Sequence, residues 1–111
     1  MADTAAAVNL NRFYGTGRRK ASVARVWLEE GGKEIVGNGR TLEAYFPRET
    51  LRMITQQPLE AVKLEDRFQV KAEVKGGGLA GQAEAIRLGI ARALLQFDSN
   101  LRPPLRKGGL L

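Results

Sequence analysis

The sequence predicts an α+β fold: a two-layer sandwich in which about four strands form a mixed sheet, with one long helix and short helices on one face. Phe68, Val70, Ala72 and Val74 alternate with Gln69, Lys71, Glu73 and Lys75, the period of a half-buried strand. Leu79, Ala83, Ile86, Ile90, Leu94 and Phe97 recur at steps of three and four, which marks a helix of about five turns. Strands, short helices, further strands and then one long helix succeed one another, and that order favours separate layers over a doubly wound sheet.

Residues 1–11 are small and polar apart from a short Ala run, and are expected to form a flexible leader. From Ser22 to Leu28, residues Ala24, Val26 and Leu28 share one face and Val23, Arg25 and Trp27 the other, which predicts a strand. Glu30-Gly31-Gly32-Lys33 reads as a tight hairpin turn into a return strand at Glu34 to Val36, closed by Gly37-Asn38-Gly39. Thr41 to Phe46 and Arg48 to Gln56 are predicted as short helical segments separated by Pro47, with Pro58 ending that region. Leu59 to Leu64 reads as a short strand, and Glu65-Asp66-Arg67 as the turn into Phe68 to Val74. Within the long helix, Gly81 and Gly89 each cost about 1 kcal/mol relative to Ala, a cost most simply offset by close approach of the helix to the sheet. Pro103-Pro104 is expected to stop any later helix, and Gly108-Gly109 to loosen the last residues. The globular domain is thus expected at 12–98, and 99–111 as a basic, extended segment.

Charge narrows the partner. The chain carries 18 Lys+Arg against 12 Asp+Glu, a formal +6, and places it unevenly. Arg12 to Arg25 holds five cations and no acid, and Ser99 to Leu111 holds Arg102, Arg106 and Lys107 with none, so a near-neutral body has two basic ends. That asymmetry favours a polyanion such as nucleic acid. The absence of His and Cys excludes thiolate and imidazole nucleophiles, disulfides and nearly every zinc site, and no metal or cofactor is expected. No apolar run approaches a membrane span, and Met1 to Leu10 lacks the features of a signal peptide; the expectation is a cytoplasmic protein, or one in the equivalent compartment of an organelle.

The densest functional signal is Tyr14-Gly15-Thr16-Gly17-Arg18-Arg19-Lys20-Ala21-Ser22. Two glycines can let backbone lie close to a sugar-phosphate chain, three cations neutralise phosphate, Thr16 and Ser22 offer hydroxyls, and Tyr14 offers a stacking face. It is not a P-loop, because no Gly-Lys-Ser/Thr closes it. Lys75-Gly76-Gly77-Gly78 precedes the long helix, and Gly76 to Gly81 matches G-x-G-x-x-G. A dinucleotide site would need a second parallel strand after the helix, and too little chain remains beyond Asp98. The glycines instead read as a tight strand-to-helix turn, with Gly78 expected to need positive φ or close approach, beside a helix N-terminus suited to phosphate. Glu29 with Glu30 and Glu65 with Asp66 sit at expected turns and are assigned no catalysis. Arg87 and Arg92 are expected to cover the exposed flank of the helix with their alkyl stems. The candidate RNA-binding residues are therefore Arg12, Tyr14 to Lys20, Ser22, Lys75 to Gly78, Arg102, Arg106 and Lys107.

Taken with Gly81-Gln82-Ala83, Ile86 to Leu94, Lys107 to Leu111, Asn38-Gly39 and Tyr45-Phe46, these stretches give a sequence that resembles the bacterial-type small-subunit ribosomal protein nine family, in register from about Arg12 to Leu111. The resemblance implies a two-layer α+β domain with a left-handed β-α-β crossover. It also implies a structural constituent bound to ribosomal RNA in the head of the small subunit, near the peptidyl-site tRNA and neighbouring proteins. Gly15 to Lys20 would lie on RNA. The family has a long basic C-terminal tail that reaches that tRNA; it would begin where these residues stop at Leu111, so tRNA contact is not expected of them. The alternatives are a free-standing accessory RNA-binding module and a small nucleotide-binding enzyme.

Overall fold

The computed structural model describes residues 12–111, and the expected leader at 1–11 lies outside them. The strands are β1 (Arg12–Arg19), β2 (Ser22–Glu30), β3 (Ile35–Gly37), β4 (Arg40–Thr41) and β5 (Phe68–Lys75). The helices are α1 (Leu42–Tyr45), α2 (Glu49–Ala61), α3 (Leu79–Phe97) and, after a 3-10 turn at Ser99–Leu101, α4 (Arg102–Lys107). The sheet order is β1-β2-β5-β3-β4, with β3 parallel to β5 and the other pairs antiparallel. This is the mixed sheet of an α+β fold, and α1 and α2 lie within the β3-to-β5 crossover.

Local expectations differ from this at four places. β1 is legible in the sequence only as a basic glycine segment, because Gly is depleted from strands. Glu30 to Lys33 is not a hairpin turn: β5 pairs along β2 from Val23↔Lys75 to Glu30↔Phe68 and takes the central position, leaving β3 on its far side. Leu59 to Leu64 is not a strand, since α2 runs through Pro58 to Ala61, and the buried face of Leu51, Thr55, Pro58 and Leu59 offsets the lost hydrogen bond.

The fourth difference is at 99–111, which folds where an extended segment was expected. Pro103 and Pro104 occupy the first turn of α4, where a missing N–H costs nothing. The Gly109 N–H donates to the Arg106 carbonyl and the Leu110 N–H to the Leu105 carbonyl, both at 3.0 Å, with Gly109 at φ 71. That is a Schellman stop, and its apolar pair Leu105 and Leu110 is buried in the core.

The core lies between the sheet and α3. Ala24, Val26 and Leu28 of β2 and Val70, Ala72 and Val74 of β5 face Ala83, Ile86, Ile90 and Leu94. Over β1 the packing is backbone on backbone. The register puts Phe13, Gly15 and Gly17 on this same face, and a Cβ on Gly15 would meet the Gly89 carbonyl and, at 2.5 Å, the Ala93 nitrogen. One on Gly17 would meet the Ala85 carbonyl and the Gly89 nitrogen, and one on Gly89 would fall 2.5 Å from Val26 Cγ2. Gly89 therefore does what its helix position implied. One end of the core is closed by Phe13, Phe68 and Phe97, edge to face at 5.0 to 6.2 Å, with the Arg67 guanidinium 4.9 Å over Phe97.

Three substitutions separate the parts of this seam. Gly15→Ala meets backbone on α3 and is expected to lower Tm by roughly 10 °C or more, since overpacking costs about 1–3 kcal/mol and more where main chain must move. Gly89→Ala meets the Val26 side chain, so Gly89→Ala with Val26→Ala should lose less stability than the two single changes added together. Thermal melts of the three variants and the double variant check both outcomes.

Candidate nucleic-acid interface

The β1–β2 turn and the turn after β5 meet at one end of the sheet. Lys20 has φ 56, Gly76 φ 82 and Gly77 φ 65. A Cβ on Gly76 would meet the Ala21 carbonyl, and one on Gly77 the Ser22 hydroxyl. Gly78 differs from expectation: its φ is −95 and its Cβ position is open, so the demand for glycine rests on Gly76 and Gly77. A polar chain fixes the turn. The Ser22 hydroxyl and Gln82 Nε2 donate to the Gly76 carbonyl at 2.8 and 3.1 Å, and Tyr45 Oη donates to Gln82 Oε1 at 2.6 Å. The Asn38 amide exchanges two 2.9 Å bonds with the Val74 backbone and so extends the β5 ladder through a side chain. Gly78 caps α3 without a side-chain bond, and the first turn holds no acid.

Arg18, Lys20 and Lys75 are exposed around this end. Register places Arg18, Val23 and Lys75 side by side across three strands, on the face away from α3. Among the described residues, Arg18, Lys20 and Lys75 have no acid within ion-pair distance. Arg19 points the other way, to the α3 side, and its Nε donates to Glu84 Oε1 at 2.6 Å. That hydrogen bond holds the Glu84 carboxyl below the ordinary glutamate value against the upward push of burial. Arg18, Arg19 and Arg87 also line a depression of about 210 Å³ with Gly109 to Leu111, which brings the C-terminal turn against the end of β1.

Not every residue singled out in the sequence joins this cluster. Gly15 and Gly17 are buried against α3, and Ser22 is buried on the Gly76 carbonyl, so none of the three is free to touch RNA. Their residue types suited RNA and helix packing equally well. Arg12 lies at the other end of β1, its Nε 2.8 Å from Glu29 without hydrogen-bond alignment. Tyr14 is exposed on the helix-free face, where the Thr16 hydroxyl donates to its Oη at 2.9 Å. That bond, with Arg25 beside it, lowers the phenol from the ordinary tyrosine value. Arg102, Arg106 and Lys107 are exposed on α4. Arg92 does more than cover a flank: its Nη1 donates to the Thr16 carbonyl at 2.9 Å. The network of Asn38, Tyr45 and Gln82 is invisible in the sequence, because nothing in their spacing shows that they converge.

The G-x-G-x-x-G match has no dinucleotide topology behind it. After α3 the chain forms a 3-10 turn and α4 where a second parallel strand would be needed. A comparison with known families finds that a model described as ribosomal protein S9/S16 matches residues 17–111, most of the chain.

Two measurements test this end of the sheet. Arg18→Ala with Lys20→Ala should lower the slope of log affinity for RNA against log salt by about two, whereas Arg19→Ala should change it little. Filter binding across a salt series reads this, and equal effects from all three would place Arg19 on the RNA as well. Because the folded-state pKa of Glu84 is depressed, its pair with Arg19 contributes fully above the unfolded-state value and is lost as pH falls through the folded one. Solvent around Arg19, 59% exposed, limits the pair to under about 1 kcal/mol. Urea melts should show Arg19→Ala less stable than the parent near neutral pH, with the gap closing as pH falls below the ordinary glutamate range.

Proposed function

The chain belongs to the ribosomal protein S9/S16 family, and on that premise we propose that the end of the sheet formed by Arg18, Lys20, Lys75 and the glycine turn rests on ribosomal RNA phosphates. Membership makes the protein a ribosomal RNA-binding constituent of the small subunit that serves translation, a structural and not an enzymatic part. The observation that carries the finer reading is the set of exposed cations at one end of the sheet with no acid among the described residues within ion-pair distance. At the same end the N-terminus of α3 adds backbone N–H groups that no side-chain cap bond occupies, a further donor set for phosphate. Within the subunit, the proposed place is the head, near the peptidyl-site tRNA and among neighbouring head proteins.

Sucrose-gradient fractionation of lysate in mild salt tests this. The chain is expected to sediment with small subunits, and Arg18→Glu with Lys20→Glu to shift it toward the top of the gradient as salt rises. A chain that binds RNA but stays off the subunits would instead be a free-standing accessory module. Crosslinks from Lys75 to small-subunit RNA outside the head would overturn the placement alone.

A further inference from the structure

We propose that the helix-free face of the sheet takes an unpaired nucleobase of RNA against Trp27, in the groove between Trp27 and Lys71. This rests on the RNA-binding reading above and adds to it a base contact on a surface that the basic end does not include.

Strand pairing builds the face. Arg12, Tyr14, Thr16 and Arg18 of β1 share it with Val23, Arg25, Trp27 and Glu29 of β2 and with Gln69, Lys71, Glu73 and Lys75 of β5. Trp27 is only partly buried. The Arg12 and Arg25 guanidinium groups lie over its ring, 5.5 and 5.3 Å from the centroid, and Tyr14 sits 5.3 Å away, tilted by 48°. Glu29 holds this arrangement, with Arg12 at 2.8 Å, Lys71 at 3.6 Å and the Gln69 amide donating at 2.8 Å. Next to the ring, a groove of about 470 Å³ is bounded by Arg12, Trp27, Val36, Asn38, Lys71 and Glu73. That lies within the size range of small-ligand sites.

Charge selects the occupant. Arg12, Arg18, Arg25, Lys71 and Lys75 outnumber Glu29 and Glu73 on this face, so it favours a polyanion over an acid-poor protein surface. An aromatic ring among cations is the pattern that binds single-stranded nucleic acid, because every base has a face to stack and every nucleotide a phosphate to neutralise. A duplex cannot use the ring, since its bases already stack on one another. The geometry also links this groove to the basic end. Val23, flanked by Arg18 and Lys75, is four residues from Trp27 along β2, about 13 Å. One strand of RNA can therefore meet Arg18 and Lys75 with its phosphates and Trp27 with a base.

Trp27 is the chain's one tryptophan, so its fluorescence reports stacking directly. The full chain is titrated with single-stranded oligoadenylate of about ten nucleotides, with an RNA duplex carrying as many phosphates, and with polyglutamate. Oligoadenylate is expected to quench Trp27 as it saturates, while the duplex binds with little quenching. Trp27→Ala should weaken oligoadenylate binding roughly tenfold or more and leave duplex binding unchanged, and Trp27→Phe should keep most of the affinity. Should Trp27→Ala fail to fold, quenching of the parent and the affinity of Trp27→Phe decide. Saturable binding of oligoadenylate without quenching would overturn the inference, as would equal quenching by polyglutamate, which would make this a face for acidic protein. A parent that joins small subunits but shows no quenching overturns only this inference; a parent that stays off subunits overturns the reading beneath it.

Discussion

The close contact between α3 and β1 is the constraint on which the rest of the structure depends. Glycines on both sides of it let two backbones approach to where a single Cβ would collide with main chain. Such close approach gains dispersion between the two backbones. It also decides which way β1 faces. With Gly15 and Gly17 turned to the helix, Tyr14, Thr16 and Arg18 must point to the open side of the sheet, because neighbouring strand residues alternate. The cations that reach outward do so because the glycines between them point inward.

The glycine turn after β5 depends on the same contact from another direction. Ser22 begins β2 where the β1–β2 turn ends, and its buried hydroxyl holds the Gly76 carbonyl. Gln82 on α3 holds the same carbonyl and is itself held by Tyr45, on the helix next after β4. Three separate parts of the chain thus fix one peptide group, which places the start of α3 beside Lys20 and Lys75. A basic site on such a support needs little reordering to receive a phosphate, so less of its binding energy goes into ordering side chains.

The layers and the two main elements were legible because they rest on periodicity: β5 alternates without a break and α3 repeats over 19 residues. What was hidden depends on context. β1 carries glycines that only a helix lying on top can explain, and Pro58 stays helical only because its neighbours are buried. Pro103 and Pro104 open a helix, a reading that requires knowing that Leu105 and Leu110 reach the core. For the site, Arg18 and Lys20 were visible as acid-free charge and Lys75 as the residue before the glycine turn. The inward turn of Gly15, Gly17, Arg19 and Ser22 was not, because a strand's facing cannot be read before the strand itself is seen.

Among the described residues β1 is an edge strand, and an edge strand presents unpaired backbone groups to any other chain that can add to it. Here the Thr16 carbonyl is already taken by Arg92, which reaches over from α3, and Arg12 and Arg18 put positive charge along the same strand. A second copy approaching in register would bring like charges together and would have to displace an arginine. The opposite edge, β4, has only two residues and offers little to extend. The arrangement that turns the cations of β1 outward thus also protects the sheet against self-association and aggregation.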